Sequence, residues 1–83
     1  MAEDNLRGLL EYLAKSIVDN PDDVTVEEFE SGKSVHLDLH VHPEDIGRVI
    51  GKHGRVANSM RAILRVVAAR NGKKVEMDVV DLD

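Results

Sequence analysis

A segment with helical character runs into Gly51-Lys52-His53-Gly54, and a second begins directly after it. Two glycines between two helices, with no strand on either side, narrow the possible folds more than any other stretch of the chain. Glycine carries no Cβ, so the backbone can turn sharply there and another molecule can come close to it. In the first segment, Pro43 to Ile50, the proline suits an opening helical turn and Glu44 and Asp45 sit favourably at its positive end. The second runs from near Gly54 to Asn71-Gly72, a good C-terminal stop. Its Val56, Met60, Ile63, Leu64 and Val67 gather in one sector of about 100°, and Asn58, Arg61 and Arg65 lie opposite.

The rest of the chain supplies one more helix and three strands. Leu6, Leu9, Leu10, Leu13 and Ile17 recur at helical spacing. With Asp4 or Asn5 as cap and Asp19-Asn20-Pro21 as stop, they predict a helix from about residue 4 to 19. Residues 24–30 read as a strand of imperfect alternation, Ser31-Gly32-Lys33-Ser34 as a turn, and residues 35–42 as a cleanly alternating strand that closes a hairpin. Residues 75–79 alternate again. The order α-β-β-α-α-β predicts an α+β domain, three helices packed on one face of a three-stranded sheet. The 83 residues suit a single domain over 1–83, with its core at about 4–81.

Charge singles out the same break. The chain is acidic overall, at −5, yet residues 43–74 hold eight Lys/Arg against two Asp/Glu. Exposed charges more than about 10 Å apart are largely screened at moderate salt, so this local patch outweighs the net sign. Without cysteine, a disulfide scaffold and a thiolate zinc site are excluded. No apolar run is long enough to span a membrane and the acidic N-terminus is unlike a signal peptide, so a cytoplasmic location is expected.

Glycines, a helix start and cations together suit phosphate. Two familiar phosphate loops fail on spacing. Gly47 and Gly51 are separated by three residues, and His53 stands where a nucleotide P-loop needs Ser or Thr. A dinucleotide fingerprint would follow a strand and open a single helix. Helix, G-x-x-G, helix remains, the backbone clamp of KH domains.

The run Ile46-Gly47-Arg48-Val49-Ile50-Gly51-Lys52-His53-Gly54-Arg55 resembles the I-G-x-x-x-G-x-x-G signature of KH domains, and the element order resembles their type II arrangement. The whole chain is similar to the stand-alone single-KH RNA-binding proteins of bacteria. That resemblance implies single-stranded RNA binding without catalysis or cofactor, as an RNA chaperone or post-transcriptional regulator. It also implies a homodimer, or a heterodimer with a second KH-containing protein. Gly51 to Gly54 would clamp the sugar-phosphate backbone beside an aliphatic groove of Ile46, Val49 and Ile50, with Arg48, Lys52, His53, Arg55 and Arg65 as cationic contacts. Asn58-Ser59 falls where many relatives are more basic. The alternative function is a protein-interaction module that assembles with another KH protein or the ribosome. The two aromatic residues, Tyr12 and Phe29, lie far from the loop in sequence, so base stacking on aromatic rings is not expected there.

Two other features are read as structural. His36, Asp38, His40 and His42 alternate with apolar residues, which describes the solvent face of a sheet covered on one side, so no metal is expected. Val66, with Ala62 and Ala69, forms a small-residue strip on the last helix that could serve a dimer.

Overall fold

The structure, a computed structural model, describes residues 5–80. Helix α1 (Leu6–Lys15) leads into a hairpin of β1 (Thr25–Ser31) and β2 (Ser34–His40). The short α2 (Ile46–Ile50), the long α3 (Arg55–Arg70) and β3 (Lys74–Val79) follow. The sheet order is β1-β2-β3, with β1 antiparallel and β3 parallel to β2. The α+β arrangement is that of a type II KH domain.

One face of the sheet is the core face. Val26, Val35, Leu37, Leu39, Val75 and Met77 point into it and are buried, together with Leu6, Leu10 and Ala14 from α1 and Met60, Leu64 and Ala68 from α3. Each fully buried leucine contributes about 1.5–3 kcal/mol relative to exposure. The imperfect alternation of β1 has a positional cause. Helix cover reaches Val26 but not Glu28 and Glu30, which stay exposed on this outer strand.

Several boundaries differ from the sequence expectation. Helix α1 ends at Lys15, because Ser16 caps it and returns its Oγ to the Tyr12 carbonyl at 2.7 Å. Asn5 is the N-cap, its side chain accepting from the Gly8 N–H, whereas Asp4 lies outside the described residues. Ile17, expected on the buried stripe, is therefore beyond the helix and 39% exposed. The expected 43–50 helix divides into a 3-10 turn over Pro43–Asp45 and the five-residue α2. β2 stops at His40, and His42 instead caps that turn, its Nδ1 accepting from the Glu44 N–H. On α3 the buried stripe is Ala57, Met60, Leu64 and Ala68, while Ile63 turns outward. The small alanines allow the helix to sit close to the elements beneath it.

Candidate nucleic-acid interface

The break between α2 and α3 is shaped by its backbone. Gly51 adopts φ 77°, ψ 172°, and a Cβ there would run into Val56, 2.8 Å from its backbone nitrogen. His53 has φ 59° and Gly54 φ 75°, both left-handed. Histidine is among the residues that tolerate this region better than most. A left-handed residue following a helical one turns successive N–H groups toward one concave side, a geometry that suits anions. The start of α3, a helix of 16 residues, adds its dipole at the same place.

The cations expected around the loop separate into two groups. Lys52, His53 and Arg55 are exposed, and no ion pair among the described residues engages them. Arg48 is engaged elsewhere: its Nη2 donates to Asp19 Oδ2 at 2.9 Å, and its Nε lies 3.7 Å from Asp45 Oδ1. It is drawn toward the α1–β1 connection. Arg65 stands nearly three turns along α3 from Arg55, about 15 Å, beside Arg61, Glu76 and Asp78. Of the expected aliphatic wall, Ile50 is 38% exposed and Ile46 is half-buried. Val49 is fully buried, so it supports the wall from beneath and presents no surface to a ligand.

Asp45 fixes the approach to the loop and was not singled out from sequence. It is 1% exposed. Its carboxylate accepts from the Asp19 N–H at 3.2 Å, the Asn20 N–H at 3.0 Å and the Asn20 side-chain amide at 3.1 Å. Burial pushes its pKa up, but these hydrogen bonds and the nearby Arg48 charge outweigh burial, and the net shift is downward.

Arg61 was expected among the residues facing away from the core. Instead it bridges. Its Nε donates to the Met77 carbonyl at 2.9 Å and its Nη1 to Asn58 Oδ1 at 2.8 Å. Asn58 is the nearest neighbour that a Cβ on Gly54 would meet, at 3.7 Å. A polar line therefore runs from the loop along α3 to the edge of β3. The spacing of Asn58, Arg61 and Arg65 shows three polar side chains along one side of α3, but not that Arg61 reaches the β3 backbone.

The open sheet face has its own cluster. His36 Nε2 lies 2.8 Å from Asp38 Oδ1 and 3.4 Å from Asp78 Oδ2, and His40 Nε2 lies 2.8 Å from Glu27 Oε1. The hydrogen bond to Asp38 raises the His36 pKa above its ordinary 6.5, against a smaller opposing effect of burial and with help from the Asp38, Asp78 and Glu76 charges. His36, Asp38 and Asp78 could each offer an atom to a metal ion, all within 4.8 Å. Pairing of an imidazolium with carboxylates accounts for the cluster without one.

Residues 7–79 match the family model described as KhpA/KhpB, KH domain. The chain belongs to this KH family. Similar proteins include the RNA-binding protein KhpA of Halalkalibacterium halodurans, 42% identical over 76 residues that span 92% of the chain and 100% of the relative. KhpA of Clostridium perfringens is 43% identical over 75 residues, 90% and 100% of the two chains. KhpA of Streptomyces coelicolor is 46% identical over 78 residues, 94% and 95%. These KhpA relatives are named as RNA-binding proteins, not as enzymes.

Proposed function

We propose that the chain binds single-stranded RNA, with Gly51–Gly54 clamping the sugar-phosphate backbone beside the aliphatic wall of Ile46 and Ile50. The observation that carries this reading is the state of Lys52, His53 and Arg55: exposed, outside the ion pairs, and grouped on a backbone turn that gathers N–H groups. The names of the KhpA relatives support it. KH loops of this kind grip about four nucleotides without stacking them on aromatic rings. In this reading the chain acts in the cytoplasm, as an RNA chaperone or post-transcriptional regulator. The test replaces Lys52 and His53 together with Asp. Aspartate also tolerates the left-handed backbone at position 53, so circular dichroism should stay native while RNA binding is lost. Undiminished affinity in the folded variant would remove the clamp reading.

A second reading is favoured by one feature of α3. Ile63 and Val66 are 44% and 59% exposed, beside the exposed Ala62 and Ala69. This apolar strip suits assembly with a second copy or another KH-containing protein. Sedimentation of Val66→Glu against the unchanged chain separates the two states.

A further inference from the structure

The polar line from the loop to the sheet ends at a strand edge whose hydrogen-bonding groups are unevenly used. β3 is an outer strand. The Lys74 and Val80 N–H groups point inward, to the Lys33 and Leu39 carbonyls of the neighbouring chain segment. Backbone groups alternate along a strand, so those of Val75, Met77 and Val79 point outward. The Met77 carbonyl is the outward acceptor at the centre of this edge, and the Arg61 Nε already occupies it at 2.9 Å.

Arg61 thereby changes what the edge offers. A bare strand edge presents donors and acceptors in turn. Here the central acceptor already takes one hydrogen bond, and a guanidinium that can only donate stands over it. Two hydrogen bonds, to Met77 and Asn58, fix the plane of that guanidinium, which has further N–H groups to offer and lines the cleft beside β3. The cleft has a volume of about 250 Å³ and is lined by Arg61, Arg65, Glu76, Met77 and Asp78. Donors therefore lie on the α3 side, and the carboxylates of Glu76 and Asp78 form the rim.

This arrangement fits one purine better than the other. Guanine presents two adjacent acceptors, O6 and N7, which match a guanidinium fork, and its N1–H and N2 amine can face a carboxylate. Adenine places an N6 amine where guanine has O6. That amine would meet the donors of Arg61, which stand over the Met77 carbonyl that could otherwise accept from it. We propose that Arg61 is the specificity-determining residue of this groove and makes it prefer guanine over adenine. The proposal rests on the RNA-binding reading above.

The test compares two uridine octamers, one with a single central guanosine and one with a single central adenosine, by fluorescence anisotropy. A single guanosine avoids the self-association of guanosine runs. The guanosine octamer should bind at least about fivefold more tightly, the lower end of what one bidentate contact discriminates. Arg61→Leu removes the fork and frees the Met77 carbonyl, so the ratio should fall to one or invert. Arg61→Lys keeps the charge without the fork, and the ratio should fall there too. Equal weakening of both octamers in these variants would make Arg61 a simple phosphate contact and overturn the proposal. A ratio of one in the unchanged chain, with binding still abolished by the Lys52/His53 double replacement, would overturn it while leaving the clamp intact. Failure of both octamers to bind would remove the RNA reading and this proposal together. Circular dichroism of each variant separates lost contacts from lost fold.

Discussion

Gly51 lies directly under Val56: a Cβ on the glycine would sit 2.8 Å from the valine nitrogen and closer still to its side chain. The obstacle is the first turn of α3, which cannot move aside as the end of a flexible side chain could. Gly54 differs. Its φ of 75° is left-handed, but the added Cβ would meet only Asn58 Nδ2, at 3.7 Å. Gly51→Ala should cost about 3 kcal/mol in urea denaturation, combining the clash with a backbone region open essentially to glycine alone. Gly54→Ala should cost about 1–2 kcal/mol, the penalty of the left-handed region by itself. Equal losses would mean that the turn relaxes around Gly51.

Asp45 ties the segment before the clamp to the α1–β1 connection, and its removal would leave part-buried N–H groups of Asp19 and Asn20 without their acceptor and the space of a buried side chain unfilled. Asp45→Ala should destabilise the fold by about 3 kcal/mol. The pH dependence has a definite sign. The folded-state pKa lies below its ordinary 3.8. Its contribution is therefore complete above that ordinary value and is lost as pH falls through the lower folded one. The stability gap between the unchanged chain and Asp45→Asn should narrow along the acid limb of a pH series.

His36 has the opposite sign. Its folded pKa is raised, so the stability it adds is fully present below its ordinary 6.5 and disappears as pH rises through the folded value. His36→Gln should lower the melting temperature slightly at about pH 5.5 and leave it unchanged at about pH 8.5. The effect is small because the side chain is 36% exposed. A constant difference across that range would assign His36 a packing role.

Salt should distinguish the cations around the loop. Each phosphate neutralised on a single strand contributes a slope of about 0.7 in log affinity against log salt. Lys52→Ala should flatten the slope by about that amount. Arg48→Ala should leave it nearly unchanged, because Asp19 and Asp45 already hold that guanidinium. Equal slope changes would show that Arg48 lets go of Asp19 when nucleic acid binds.

Much of the fold was legible because periodicity is a local property. The strands around Leu37 and Met77 and the helix around Leu64 each announce their buried face within a few residues. What stayed hidden depends on partners distant in sequence. Nothing near Asp45 indicates that its acceptors serve N–H groups 26 and 25 positions earlier. Arg48 looks like a loop cation until Asp19, 29 residues away, claims it. Arg61 looks like a solvated helix residue until β3 folds against α3 and brings the Met77 carbonyl within reach. Ile63 was misplaced for a subtler reason: a sector wide enough to hold it and Leu64 includes both the contact line and its margin, and packing keeps only the line. The glycine pair was legible as a break, but the left-handed turn at His53 was not, since histidine carries no such requirement.

The carboxylates of Glu27 and Asp38 lie on the open face of the sheet, the far side from the loop that carries Lys52, His53 and Arg55. The molecule is therefore an electric dipole as well as a net anion. A polyanion approaching the sheet is repelled and one approaching the loop is attracted, so the protein is rotated during encounter before any contact forms. An acidic chain can in this way meet a negatively charged strand in one orientation, with its overall charge guarding the surfaces that the strand should not touch.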